Sequence, residues 1–581
     1  MKMNRREFLK AAGITGLSAA ALATLCACGA KETSASTTAP TDAQITGPAA
    51  APTDPPVTAH PDDWDFMAEG CFRPSYPANV DEIPTGFTTS KDELIIRMAQ
   101  DEGSMDPLSG GLYVTPACIF NLCGTSMLAA GYVDGGIDMQ INKYSACDSM
   151  TWDDDHMGVT FHIRKGAHFH NGDPVTSADL AFSVRRFSSN ARFGYINFEN
   201  ITCVDDDTLY IPMTRQDGNF LFIMGIFVHI FSEKVYNEYV EKGKEADFFY
   251  CSEGTCGMYE ITEWVSGDHV TLKADHTHYL VPTIETVTVR FIADNTVAMM
   301  ELETGGIDLL YGPSTPDIQN VLAGRYGDAI SGVENAGDVM TLLGMNIAGK
   351  FSDLNLRYAV THAVDWKTVI KAAWGVMGSE PTTILASTLY GLENTSDWWQ
   401  SMYDVEKAKE CLANSAYADG VKLSLIIGNG ANVVAASEML KNYLNKVGID
   451  LDIQTYDVAT QSDIIGKNDG WDLWIRDFGG YGMTWGSNFI EGGTYHKICH
   501  FDVTEPDNAK ELFDLGIQLS STLDHDTFAA VAKKIQNGYL EGKFFYFFPI
   551  TQAKIVTLGT AELHNWFRTK DNLYIADSYF E

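Results

Sequence analysis

Apolar and polar residues alternate from Val159 to Ile163, the period of a half-buried strand. Asn171-Gly172-Asp173-Pro174 then forms a turn cluster, and Thr176 with Asp179 opens an amphipathic helix as a capping box. Earlier, Glu93 to Asp106 begins as a strand and runs into a turn at Asp106-Pro107. Val287 to Asp308 reads as a strand followed by a helix that ends at a glycine. Asp365 is placed to cap a helix from Trp366 to Trp374, which Gly375 closes. Ala435 to Val447 carries Met439, Leu440, Tyr443, Leu444 and Val447 at helical spacing, and Gly448 ends it. Ile449, Leu451 and Ile453 alternate as a strand, and Trp471 to Phe478 supplies the next. This strand–helix–strand rhythm predicts an α/β fold, and no tandem repeat interrupts it.

The first 62 residues follow no such pattern. Arg5-Arg6-Glu7-Phe8-Leu9-Lys10 precedes a mildly apolar run, Ala11 to Leu25, too short and weak to remain in a bilayer as a spanning helix. It reads as a cleavable export signal over residues 1–27. Asn4 stands where twin-arginine signals carry Ser or Thr, so the twin-arginine and general secretory routes both stay open. Leu25-Cys26-Ala27-Cys28-Gly29 resembles a lipobox, which implies cleavage before Cys28 and acylation of that cysteine. Lys31 to Asp62 is dominated by Thr, Ala, Pro, Ser and Asp. Such a segment buries too little apolar surface to offset its ordering entropy, and as a tether it reaches about 30 Å. The expectation is a protein held by lipid on the extracytoplasmic face of the cell membrane.

The remaining chain, about 520 residues, exceeds a single hydrophobic core and is expected to divide into lobes. Acidic residues number 77 against 40 basic, a net charge of −37. A polyanion of this kind is not a nucleic-acid binder. Of 11 cysteines, removing Cys26 with the signal and Cys28 to lipid leaves an odd number, so at least one thiol is unpaired or pairs between chains. Cys118 with Cys123 and Cys251 with Cys256 are the two spacings that could each bridge. There is no G-x-S-x-G elbow, no H-E-x-x-H, no Walker A and no dinucleotide fingerprint, so no enzyme is indicated.

Gly158 to Phe187, GVTFHIRKGAHFHNGDPVTSADLAFSVRRF, resembles the signature of extracytoplasmic solute-binding proteins of the peptide/nickel/opine class, family 5, which feed ABC importers. The likeness continues at Thr151–Gly158, at Gly254-Thr255-Cys256-Gly257-Met258-Tyr259, at Leu356–Asp365 and at Tyr403–Ala408, and spans residues 92 to 575. In the second of these, Cys and Gly replace the family's usual Gly and Pro. The resemblance implies a periplasmic-binding-protein-like clamshell with an extra subdomain in lobe one. Residues 28–91 are then tether and extension, 92–117 the first part of lobe one, 118–250 the inserted subdomain, 251–310 the second part, 311–547 lobe two and 548–581 the return.

It also implies a ligand site. Trp474-Ile475-Arg476-Asp477-Phe478 resembles the stretch whose aspartate pairs, in relatives, with the free ammonium of a bound peptide. Asp477 either fills that role or caps the Gly479-Gly480 turn. Trp474, Phe478, Tyr481 and Trp485 would supply flat apolar walls, or else belong to the core of lobe two. Tyr113 falls where relatives send backbone groups to the ligand, and Arg476 points away from Asp477 if the strand is regular. His156, His162, His168 and His170 read as structural. His496, Cys499 and His500 have the chemistry for nickel, zinc or haem iron, while no metal or other cofactor is assigned. The implied protein is a monomer that binds a small molecule or peptide, acts with ABC permease subunits and meets the bilayer through acylated Cys28. A nickel-chelate or haem receptor of the same fold, and an envelope sensor or chaperone, are the alternatives.

Overall fold

The computed structural model describes residues 72–74, 80–101, 103–108, 117–133, 136–190, 193–480, 482–568 and 572–581. Residues 1–27, read as an export signal, residues 31–62, read as a tether, Cys28, Tyr113 and Tyr481 therefore lie outside the described residues. Among the described residues, no helix is long and apolar enough to cross a membrane.

The strands used below are β1 (Glu93–Met98), β2 (Cys147–Trp152), β3 (Gly158–Ile163), β4 (Thr202–Asp205), β5 (Thr208–Pro212), β6 (Tyr259–Val265), β7 (His269–Ala274) and β8 (Thr286–Phe291). They continue with β9 (Leu309–Tyr311), β10 (Ile330–Met345), β11 (Val421–Gly428), β12 (Ile449–Tyr456), β13 (Leu473–Gly479) and β14 (Phe547–Thr560). One large mixed sheet takes the order β12-β11-β13-β10-β14-β9-β1-β8-β7-β6, and a separate antiparallel sheet takes the order β2-β3-β5-β4.

The large sheet is shared between two lobes, and among the described residues only β10 and β14 belong to both. At one end β14 pairs with β9, Leu309 opposite Gly559, and β9 lies parallel to β1. At the other end β10 pairs with β13, Val339 opposite Gly479 through Met345 opposite Leu473. The chain thus crosses into lobe two along β10 and returns along β14. The pairing of these two strands slips where the lobes meet, between Ala336 and Met340, and again between Thr341 and Leu342, inside the stretch that pairs with β13. Irregular pairing of this kind bends a strand and concentrates its twist. Gly337 sits in the first slip, where a Cβ would stand 2.4 Å from the carbonyl oxygen of Ala553. Only glycine lets the two backbones approach there.

Two of the three buried clusters lie on either side of this crossing, and the third, around Leu302, Leu310, Ile330 and Leu558, also takes up Val376 and Met377. Leu94, Ile96, Val287 and Val289 of the lobe-one sheet pack in one cluster with Phe161, Leu209 and Ile211 of the separate sheet. Leu342, Leu343, Leu425, Ile426, Leu473 and Trp474 pack in another with Phe528, Phe547 and Phe548. Matching anchors fix the outer ends of both sheets. Asp308 accepts the Ile95 amide at 2.8 Å and the Lys91 ammonium at 2.6 Å. In lobe two, Asp472 accepts the Ser424 amide at 2.9 Å and the Lys350 ammonium at 2.9 Å.

Local expectations hold closely. Asp179 accepts the Thr176 amide at 3.0 Å, and Asp365 caps the helix Trp366–Ala373 through the Thr368 amide at 3.1 Å. The helix expected from Ala435 spans Ala431–Asn445, burying Leu440 and Leu444 while Met439 and Tyr443 are half-covered at the flank. One expectation is corrected: Cys251 and Cys256 are separate free thiols, the first near the Tyr239 hydroxyl at 3.3 Å and the second turned toward the Ile230 carbonyl at 4.0 Å. The loop between them is instead held by His170, whose ring nitrogens lie 3.0 Å from the Ser252 carbonyl and 3.0 Å from the Gly257 carbonyl.

Two other histidines make folding pH-dependent. Burial pushes His229 down from 6.5 to about 3 and His278 down from 6.5 to about 4. Below pH 6.5 the unfolded chain takes up protons that the folded chain refuses, so stability is full above that pH and is lost as pH falls. Each residue contributes a slope of up to about 1.4 kcal/mol per pH unit between 6.5 and its folded value. Urea midpoints are expected to fall between pH 7 and pH 5 in the native protein and to fall less after His229→Asn; a flat profile over that range contradicts this assignment.

Candidate functional site

Strand direction locates the site. β13 runs from Met345's partner toward the crossover, and β11 and β12 run parallel to it. In lobe one, β9 runs toward the crossover from the other side, and β1 and β8 run parallel to β9. The carboxyl ends of both parallel sets therefore face each other across the hinge formed by β10 and β14. Open α/β sheets bind ligands outside such ends, because the loops there are free to carry polar groups.

The lobe-one rim is held by a charged group buried inside it. Arg97, fully buried, donates from Nε to Ile292 O at 2.7 Å, from Nη1 to Tyr311 O at 2.7 Å and from Nη2 to Asn295 Oδ1 at 2.7 Å. One guanidinium thus ties together the carboxyl ends of β1, β8 and β9. Burial lowers its pKa, and the nearby Asp294 and Asp317 carboxylates oppose that shift. Sequence reasoning passed over this residue, although a charge within the apolar run Leu94-Ile95-Ile96 was the available signal.

In lobe two, β13 delivers Asp477 at its exposed end, opposite Thr341 of β10. Oδ1 of Asp477 accepts the Thr341 hydroxyl at 2.6 Å, and among the described residues Oδ2 receives no hydrogen bond. Among the described residues no backbone amide of the following turn donates to Asp477; that turn is held by Thr388, whose hydroxyl donates to Gly480 O at 2.8 Å and whose carbonyl accepts the Gly482 amide at 2.9 Å. Beside it, Gln552 is buried at the slip in the crossing strands, donating to Gly337 O at 2.6 Å and accepting the Ser387 amide at 3.1 Å. Thr341 and Gln552 were not singled out from the sequence, because their importance comes from pairing across distant strands.

The expected aromatic wall is largely corrected. Trp474 is fully buried, its indole donating to Ile498 O at 2.8 Å, and Trp485 is 1% exposed with its indole on Tyr390 O at 3.0 Å. Both are core residues of lobe two with no surface left for a ligand. Phe478 is half-buried against the rings of Trp474 and Tyr495, at 5.4 Å from each, and keeps part of its surface free. Arg476 is also half-buried; desolvation lowers its pKa and the Asp477 charge opposes this.

His496, Cys499 and His500 are not brought together. His496 accepts the Gly492 amide at 2.7 Å and faces Asp502 at 3.2 Å, while His500 turns to Ile465 O at 2.9 Å. Cys499 is fully buried near Tyr546 O, and burial pushes its thiol pKa up, away from the thiolate a metal requires. Among the described residues, no group of three or more His, Cys, Asp or Glu side chains is arranged to hold a metal ion.

Two hinged lobes with opposed strand ends define a solute-binding clamshell. Residues 143–496 match the bacterial extracellular solute-binding proteins, family 5, middle region, and the chain belongs to that family. Its members are transport binding proteins, not enzymes. The chain is 23% identical over 336 residues to haem-binding protein A of Haemophilus influenzae, covering 53% of this chain and 60% of that protein. It is 25% identical over 356 residues to a probable peptide ABC transporter periplasmic-binding protein of Sinorhizobium fredii, covering 56% and 65%. The chain thus spans less than two thirds of the length of these relatives. The crystal structure of the ABC transporter substrate-binding protein CtaP from Listeria monocytogenes superposes with a TM-score of 0.70 at 19% identity, covering 84% of this chain and 99% of that one.

Because Arg97 satisfies carbonyls of two other strand ends, its loss leaves buried acceptors unpaired. Arg97→Met is expected to lower unfolding stability by about 3 kcal/mol or more. A urea midpoint matching the native protein contradicts the clamp.

Proposed function

We propose that this protein is the lipid-anchored solute-binding component of an ABC importer, and that its ligand is a peptide or similar amino-bearing solute held between the lobes. The observation that carries the reading is Asp477, an exposed carboxylate at a strand end on the lobe-two rim, with one oxygen fixed by Thr341 and the other without a hydrogen bond from the described residues. An ammonium enclosed between closing lobes loses its hydration, at a cost of several kcal/mol, unless a counter-charge and hydrogen-bond acceptor replace the water. Asp477 supplies both. Phe478 adds half-exposed apolar surface next to it, which suits side chains of varied size.

Membership of an extracellular solute-binding family supports the extracytoplasmic placement, and Cys28 supplies the anchor from the sequence. The similarity to a probable peptide-binding relative supports the ligand class. The haem reading draws on a relative of similar identity. It is disfavoured by the dispersal of His496, Cys499 and His500 onto separate partners. A ligand held at a dissociation constant near 1 μM needs about −8 kcal/mol, within reach of one charge-assisted contact, backbone pairing and an apolar wall.

Mass spectrometry of solutes released from the purified protein is expected to return peptides, and an absorbance scan to show no haem band. In calorimetry with a mixture of tri- to pentapeptides, Asp477→Ala is expected to bind at least about tenfold more weakly, a loss of about 1.4 kcal/mol or more, with thermal stability nearly unchanged. Equal affinity in the two proteins removes Asp477 from the site.

A further inference from the structure

The lobes also meet by contact alone, well away from β10 and β14 in the sequence. The loop Thr214–Asn219 leaves β5 of the separate sheet, whose residues share the lobe-one core. Its Gly218 amide donates to Ser520 O at 2.9 Å, at the end of the helix Pro506–Ser520. A Cβ on Gly218 would stand 3.2 Å from Met483 O, 3.5 Å from Thr522 O and 3.6 Å from Leu519 O. Three lobe-two carbonyls thus form a seat that a side chain would crowd.

The contact runs the other way as well. Leu523 lies in the corner between the helices Pro506–Ser520 and His525–Leu540, which pack their Leu512, Leu519, Phe528 and Val531 into the lobe-two core. Leu523 itself is 9% exposed and packs in the lobe-one core cluster. A lobe-two leucine therefore leaves water only by entering the other lobe. Asp217, at the tip of the docking loop, is 5% exposed and is satisfied locally by Arg215 at 2.5 Å and the Asn219 amide at 3.0 Å. Next to Leu523, the Asp524 carboxyl is held below its usual range mainly by the Thr527 hydroxyl and amide, and also by His156 of the inserted region.

We propose that this seat is a closure latch: it is made when the lobes shut and parted when they open, and Gly218 and Leu523 are positioning residues that set how long a ligand stays without touching it. The inference rests on the reading of ligand capture by lobe closure and deepens it. A hinge of two strands leaves the far side of the lobes to swing. An apolar side chain and one backbone hydrogen bond made between the lobes favour the shut state, and any ligand that needs the shut state gains residence time from them. Since most of the gain comes from the buried leucine, losing it is worth about tenfold or more in the open–shut equilibrium.

Leu523→Glu and Gly218→Val in the full chain test this with two measurements. In small-angle scattering without added ligand, both variants are expected to show a larger radius of gyration than the native protein, with unchanged circular dichroism. In stopped-flow displacement of a mixture of tri- to pentapeptides, both are expected to release peptide about tenfold faster or more. Scattering and release identical to the native protein in Gly218→Val, the milder change, overturn the latch. If the native protein binds none of the peptides, the peptide reading fails by itself, and the scattering comparison, which needs no ligand, still decides the latch.

Discussion

The antiparallel pairing of β10 with β14 carries everything else in this molecule. These are the two longest strands among the described residues, 16 and 14 residues, and each contributes to both lobes. Because backbone hydrogen bonds within a strand pair are hard to break and easy to bend at a slip, the lobes are fixed in register yet free to change their angle. The first slip falls between the segments that pair with β9 and with β13, where Gly337 permits close approach and Gln552 satisfies the backbone that the slip frees. A regular ladder through the same residues would weld the lobes into one rigid sheet. A flexible linker would lose the alignment of the facing rims.

Around that hinge the polar groups are distributed by purpose. Arg97 is enclosed by backbone groups and stiffens the lobe-one rim, and Asp308 and Asp472, held by backbone amides and lysines, fix the outer ends of the strands before any ligand arrives. Asp477 differs in being exposed and only half-satisfied. Preorganised rims reduce the ordering entropy that binding would otherwise cost, so a modest set of contacts suffices for capture. The large negative charge has little bearing on this local balance; it shapes the long-range field, in which cationic solutes are favoured over anionic ones.

Elements written in short-range patterns were legible from the sequence. The capping boxes, the alternation of β12 and the helix before Gly448 follow from local rules, and the long signature segment carried the family and with it the two-lobed plan. What depends on distant pairing was not legible. That Trp474 and Trp485 are core residues follows from the segments at Ile498 and Tyr390 that fold onto them, and nothing within Trp474–Trp485 distinguishes an aromatic wall from an aromatic core. The same limit hid Thr341 and Gln552, which matter only because β10 and β14 bring them beside Asp477 and Gly337. Cysteine spacing misled for a simpler reason: a short gap between thiols says nothing about where their side chains point, and His170 already holds the loop between Cys251 and Cys256.

The central claim is that the lobes move about the crossing strands and shut on a guest. Single-molecule energy transfer between dyes placed at Val204 in β4 and Tyr403 in lobe two, both exposed, reads that motion directly. The account predicts a shift to shorter distances as the co-purifying solute is added back to stripped protein. An unchanged distance while calorimetry shows the solute bound would contradict it.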